Sequence, residues 1–247
     1  MTTTLNLLHG FTQTGRSWDR VISAIRGRLR DVEYHAPNMP GHGPSSTEAL
    51  DLERAADHLA ALLPPGIWIG YSMGGRHLLH VALQHPERCS GIVLVSATAG
   101  IDDAVERAAR RTADEATADH IERIGVRSFI EGWITQPMFA DVPFDHADLD
   151  ERCTNTADGL ASSLRLAGTG TQRPLWTECA SLTMPVLIIT GELDAKFTTL
   201  GERLERCLPD AERVVIAAAG HAVHLSATDR FADAVTEWIT RRALHRL

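Results

Sequence analysis

The sequence lacks any apolar run long enough to cross a bilayer: stretches such as Val186 to Ile189 and Ile92 to Val95 fall far short of the about 20 residues a membrane-spanning helix requires. It also lacks a basic, apolar leader. Met1 to Gly10 run from a short apolar cluster straight into a loop motif, so neither a signal peptide nor membrane insertion is expected. Cysteine is scarce: Cys89, Cys153, Cys179 and Cys207 are scattered, with no Cys-x-x-Cys pair. That excludes the common zinc and dithiol motifs and leaves free thiols suited to a cytoplasmic location. Positive charge is in deficit, with 24 Lys and Arg against 32 Asp and Glu and a formal net charge of −8. Phosphate affinity comes from clustered cations, so no nucleic-acid partner is expected and any anionic ligand must be gripped locally. No Gly-x-Gly-x-x-Gly loop follows a strand-like run and no cluster has metal-ligand spacing, so neither a cofactor nor a metal is expected.

The composition that remains, 44% hydrophobic and 23% charged over 247 residues, is that of one ordinary globular domain. Short apolar runs at Leu5 to Leu8, Val32 to Ala36, Ile67 to Ile69, Ile92 to Ser96, Val186 to Thr190 and Arg213 to Ile216 read as buried strands. Helical spacing of apolar residues occupies Trp18 to Leu29, Leu52 to Leu63, Gly74 to Gln84, Leu200 to Cys207 and Arg230 to Arg241. Strand and helix alternate, which implies an α/β fold: a mostly parallel sheet with helices on both faces. The rhythm breaks from about residue 102 to 176, where charged helical stretches end in Gly168-Thr169-Gly170. We read residues 1–247 as one domain, with a core of about 1–101 and 177–247 and a helical lid of about 102–176 over the carboxyl ends of the strands.

Gly70-Tyr71-Ser72-Met73-Gly74-Gly75 follows one strand and opens one helix, the setting of a nucleophile elbow. Flanking glycines permit a sharp turn that lifts the Ser72 hydroxyl out of the sheet. A serine hydroxyl is a weak nucleophile and base until an imidazole takes its proton, and the imidazole needs an acid to set its tautomer. Asp194, after the run Val186 to Ile189, and His221, after the run ending near Ile216, complete the chain order Ser, Asp, His of α/β-hydrolases. Taken singly, Asp194 reads equally as a helix cap and His221 as a structural histidine; His224 is the alternative base and Glu192 the alternative acid. The loop Leu8-His9-Gly10-Phe11 closes the first strand, so the Phe11 and Met73 backbone N–H groups are the expected oxyanion donors, with His9 bracing the loop.

Leu8-His9-Gly10-Phe11-Thr12-Gln13-Thr14-Gly15, Gly70-Tyr71-Ser72-Met73-Gly74-Gly75-Arg76 and Gly191-Glu192-Leu193-Asp194-Ala195-Lys196-Phe197 resemble the 2-succinyl-6-hydroxy-2,4-cyclohexadiene-1-carboxylate (SHCHC) synthases of the menaquinone pathway. The likeness continues through Glu106 to Arg110, Trp133, Gln136 to Phe139 and Gly168 to Gln172 with Leu175 and Trp176, and so spans nearly the whole chain. It departs at Ser226 and Thr228, where relatives often carry an acidic residue and a proline, and at Asn38, often acidic.

The resemblance implies an α/β-hydrolase fold put to lyase use: elimination of pyruvate from 2-succinyl-5-enolpyruvyl-6-hydroxy-3-cyclohexene-1-carboxylate, a small polyanionic carboxylate, with the triad as base. It implies substrate contacts from Tyr71, Arg76, Arg110, Arg152, Trp133 and Phe139. Arg107 and Arg111 are the adjacent alternatives to Arg110, and plain packing is the alternative for the two lid aromatics. Lys196 stands to brace the acid loop or to steer anions. Two other readings fit the same motifs: an esterase, thioesterase or carbon–carbon hydrolase acting covalently, and a non-catalytic receptor for a small acid.

Overall fold

Strands β1 (Thr3–Leu8), β2 (Val32–His35), β3 (Gly66–Tyr71), β4 (Cys89–Val95), β5 (Val186–Gly191) and β6 (Ala211–Ile216) pair in parallel in the order β2-β1-β3-β4-β5-β6. The structure, a computed structural model, describes residues 2–244. Strands β3, β4 and β5 are buried along nearly their whole length, whereas β2 and β6, at the edges, carry partly exposed residues. Parallel strands covered on both faces have no polar side to show, so the central ones read in sequence as unbroken apolar runs. All six expected strands are present.

Ten helices connect and cover them among the described residues: α1 (Asp19–Arg26), α2 (Leu52–Leu62), α3 (Met73–Gln84), α4 (Ala104–Ile124), α5 (Val126–Trp133), α6 (His146–Arg152), α7 (Ala157–Ala167), α8 (Ala195–Cys207), α9 (Val223–Ser226) and α10 (Thr228–Arg241). Successive residues of β4 point to opposite faces of the sheet. Ile92 and Leu94 join Leu59 of α2, Leu78 of α3 and Leu204 of α8 in one core. Val93 and Val95 join Val21 and Ile25 of α1 and Phe231 and Trp238 of α10 in the other. Helix α8 starts at Ala195 rather than Leu200, because the Asp194 side chain accepts from Phe197 N–H and caps a first turn that has no apolar periodicity. Helix α9 is one short turn that the spacing did not reveal.

The chain leaves β1 toward β2, then crosses back over β1 to β3, so the winding direction reverses between β1 and β3, which pair through Leu8 and Gly70. Loops leaving the carboxyl ends of these two strands diverge and leave a crevice. The segment between β4 and β5 holds α4 to α7 and no strand, and it has a small core of its own built from Ala118, Ile121, Phe129, Ile130, Leu160 and Leu164. Arg165 of α7 bridges to Glu115, Asp119 and Glu122 of α4 at 2.6, 2.6 and 2.5 Å.

The turn after α7 presses on α4 so closely that a Cβ at Gly170 would lie 2.2 Å from the Arg111 nitrogen and 2.4 Å from its Cα. Backbone cannot yield there as a side chain would. Gly170→Ala is therefore expected to cost about 1–3 kcal/mol in urea unfolding; wild-type stability would mean that the turn has room to move. No helix among the described residues is long and apolar enough to cross a membrane, and no group of three or more His, Cys, Asp or Glu among them could hold a metal ion.

Candidate active site

Ser72 occupies the single residue between β3 and α3, with φ 50° and ψ −106°. A serine in the left-handed region stores strain on the order of 1–3 kcal/mol, which the surroundings must hold. Two backbone bonds do so: Ser72 N–H donates to Val95 O at 2.8 Å, and Arg76 N–H donates to Ser72 O at 3.1 Å. A Cβ at Gly74 would sit 2.2 Å from Leu8 O, so only glycine lets α3 start this close to β1.

The Ser72 hydroxyl lies 3.1 Å from His221 Nε2, and His221 Nδ1 lies 2.7 Å from Asp194 Oδ2. Asp194 thus divides its carboxylate, one oxygen capping α8 through Phe197 N–H at 3.2 Å and the other on the imidazole. The His221 ring is enclosed by Phe197, Tyr71 and Phe139, with centroid separations of 4.4, 5.3 and 6.2 Å. The alternatives fall elsewhere. His224 packs its ring on Tyr71 at 4.3 Å and meets Gln13 rather than Ser72, while Glu192 accepts from Ala218 N–H at 2.8 Å.

In the loop after β1, Gly10 N–H donates to Gln13 Oε1, Thr12 N–H to His42 Nε2 and Gln13 N–H to Gly10 O. The Phe11 N–H makes no hydrogen bond within the described residues, nor does the Met73 N–H at the first turn of α3, so both are free to receive an anion. His9 braces the loop: Nδ1–H donates to Gly10 O at 2.8 Å and Nε2 accepts from Met39 N–H at 2.9 Å. His42 is bound in the same neutral form, Nδ1–H to Pro40 O at 3.1 Å.

Burial pushes His9 well below the usual histidine range, His42 down to about 4, and His77 and His224 down to about 3. With folded pKa values below the unfolded one, these groups cost nothing above about pH 6.5 and remove stability as the pH falls from there toward 4, where the unfolded chain takes up protons that the folded chain refuses. The loss is on the order of 2 kcal/mol per imidazole at pH 5. Urea midpoints are expected to hold from pH 8 to 7 and to fall steeply below 6.5; a midpoint flat down to pH 4.5 would contradict this burial.

Two cavities meet at Ser72. The larger, about 380 Å³, is lined by Arg76, Arg110, Lys196, Phe197 and Arg203 among others. The smaller, about 40 Å³, is lined by Tyr71, Trp133, Phe139, Arg152 and His221 with Phe11 and Gln13. The three arginines anticipated from the sequence therefore flank Ser72 from two sides. Arg76 is 7% exposed, donates to Ala167 O at 2.7 Å, and has its pKa lowered to about 10 by burial and then by the neighbouring Arg110 charge. Arg152 is 5% exposed, is lowered to about 10 mainly by burial, lies over the Phe144 ring and donates to Thr12 Oγ1. Neither forms an ion pair within the described residues. A buried cation without a counter-ion is costly, and an anion arriving from outside repairs the cost.

Arg110 is the member of its trio that lines the cavity, while Arg107 turns back to the carbonyls of Ile101 and Asp102. Its Nε is held at 2.7 Å by buried Asp114, which also accepts from Gly170 N–H at 3.0 Å. Sequence reasoning missed Asp114, although its position four residues after Arg110 in a helix was a usable signal. Tyr71 is buried, and its desolvated hydroxyl has a raised pKa. Trp133 packs edge-on against Phe11 and at a tilt against Phe129, and its indole N–H is buried without a partner among the described residues. Lys196, lining the larger cavity, lies over the ring of Phe197, which in turn packs on His221.

The α/β-hydrolase family model matches residues 7–234. A putative SHCHC synthase of Bacillus subtilis (strain 168) is 33% identical over 247 residues, covering 94% of this chain and 89% of its own. The SHCHC synthase of Serratia proteamaculans (strain 568) is 30% identical over 236 residues, covering 91% and 88%. Among solved structures, MenH from S. aureus matches with a TM-score of 0.89 at 26% identity, over 98% of this chain and 95% of that one.

Proposed function

The chain belongs to the α/β-hydrolase family and, within it, to the SHCHC synthases, and from that membership we propose that it eliminates pyruvate from 2-succinyl-5-enolpyruvyl-6-hydroxy-3-cyclohexene-1-carboxylate to give SHCHC. The observation that carries this reading is the pair of buried guanidiniums, Arg76 and Arg152, which flank Ser72 and form no ion pair among the described residues. A pocket for neutral esters has no use for them, whereas a substrate with three carboxylates supplies their missing counter-ions.

In this reading Ser72, His221 and Asp194 work as a base. His221 Nε2 draws the hydroxyl proton as Ser72 Oγ removes the ring proton α to the succinyl ketone. Asp194 holds the imidazole by Nδ1 and stabilises the imidazolium that forms. The ketone oxygen becomes an enolate and accepts from the Phe11 and Met73 N–H groups. Its electrons move through the ring double bond and expel the enolpyruvyl oxygen, and the departing enolate regains a proton as pyruvate. The product ring gains its second double bond, and no bond to Ser72 forms. Arg76 and Arg110 on one side, and Arg152 with Tyr71 on the other, hold the carboxylates. Trp133 and Phe139 wall the ring, and residues 102–176 act as the lid that keeps water out.

The test is intact-protein mass spectrometry during turnover. The lyase reading expects the unmodified mass throughout while pyruvate accumulates; an acyl adduct on Ser72 that forms and decays with turnover would overturn it in favour of a covalent hydrolase.

A further inference from the structure

Thr12 is fully buried and has φ 67°, a conformation that a β-branched residue rarely adopts. Each of its three polar atoms is taken by a different residue. The N–H donates to His42 Nε2 at 3.3 Å, the carbonyl accepts from Asn155 Nδ2 at 2.9 Å, and Oγ1 accepts from Arg152 Nη1. Asn155 is itself 5% exposed and fully engaged, since Nδ2 also donates to Arg152 O at 2.8 Å and Oδ1 accepts from Gly43 N–H at 2.8 Å. On the other side of Phe11, Gly10 is pinned by Gln13 and His9. Strain held in place this thoroughly, directly beside the Phe11 N–H, which makes no hydrogen bond within the described residues, points to a role for that N–H.

We infer that Thr12 and Asn155 are positioning residues which fix the Phe11 N–H as oxyanion donor, and that the Arg152–Thr12 hydrogen bond ties occupancy of Arg152 by a substrate carboxylate to the placement of that donor. This rests on the proposed lyase reading for the identity of the anion, but the aiming of Phe11 does not. Neither residue touches substrate. Arg152 serves both ends of the link, because its Nη1 is on Thr12 while its side chain lines the smaller cavity beside Ser72.

Two readouts separate this inference from the lyase assignment. One is kcat and KM for pyruvate release. The other is the rate at which a fluorophosphonate labels Ser72: Oγ bonds to phosphorus, the P–F bond breaks, fluoride leaves, the hydroxyl proton passes to His221, and the phosphoryl oxygen occupies the oxyanion site. Thr12→Val keeps shape and removes the hydroxyl; it is expected to lower both kcat and the labelling rate by about tenfold or more, with KM within about threefold. Thr12→Ser should restore both to within about threefold of wild type. Asn155→Ala should repeat the valine pattern, with thermal melting confirming a folded protein. Wild-type labelling by both Thr12→Val and Asn155→Ala would overturn the inference, as would a change confined to KM. A wild-type protein that labels but releases no pyruvate would sink the lyase reading and leave the positioning role to be decided by labelling alone.

Discussion

Ser72→Ala is expected to bring pyruvate release down to the spontaneous rate while the product still binds. The hydroxyl is the triad group that faces both cavities, and His221, 2% exposed, has its Nε2 on that hydroxyl. In the proposed mechanism, removing Oγ leaves the imidazole one atom short of the proton to be removed. Removing the reacting member of a triad typically costs on the order of 10⁴-fold or more, and here no water is positioned by a covalent intermediate to take its place. Alanine at φ 50° is no worse than serine, and the backbone bonds to Val95 and Arg76 stay, so the fold is expected to hold. Titration of SHCHC by fluorescence quenching would give unchanged affinity. Residual catalysis within about tenfold of wild type would show that another group is the base.

Arg76→Ala comes second in expected effect. The side chain makes a single bond, to the last carbonyl of α7, and stands in the larger cavity with Arg110. Losing a buried, charge-assisted contact to a substrate carboxylate is worth about 2–5 kcal/mol, which lowers kcat/KM by about 30- to several-thousand-fold. Arg76→Lys is not expected to rescue, because a point charge does not reproduce a two-pronged contact. Stability provides an independent readout. Since burial already depresses the Arg76 pKa to about 10, the folded protein bears a cost for this cation, and the melting temperature of the empty variant is expected not to fall. A large drop in melting temperature with unchanged kcat/KM would make Arg76 a structural residue.

The sheet was legible because its central strands are buried on both faces and so appear as short apolar runs, and the Ser72 elbow was legible because its chemistry is local: glycines, a strand before and a helix after. Asp194 and His221 could be proposed from chain order, but their meeting with Ser72 depends on distances across 27 and 149 residues that only the fold sets. The same separation hid Asn155, whose bond to Thr12 spans 143 residues and whose local sequence shows nothing but a helix cap region. The division of the arginines between two cavities was equally hidden. Spacing on one helix says which faces are shared, and it is silent on which side of Ser72 a helix of the segment between β4 and β5 lies. Helix α8 began earlier than its apolar pattern because a cap, rather than packing, starts it.

The most direct measurement is the time course of pyruvate release from freshly generated 2-succinyl-5-enolpyruvyl-6-hydroxy-3-cyclohexene-1-carboxylate, with wild type compared against the spontaneous rate. The lyase account predicts release far above that background, in proportion to enzyme concentration, with SHCHC formed in equal amount. Release at the background rate by a protein that still labels at Ser72 would contradict it, and would point the same triad toward esters or thioesters.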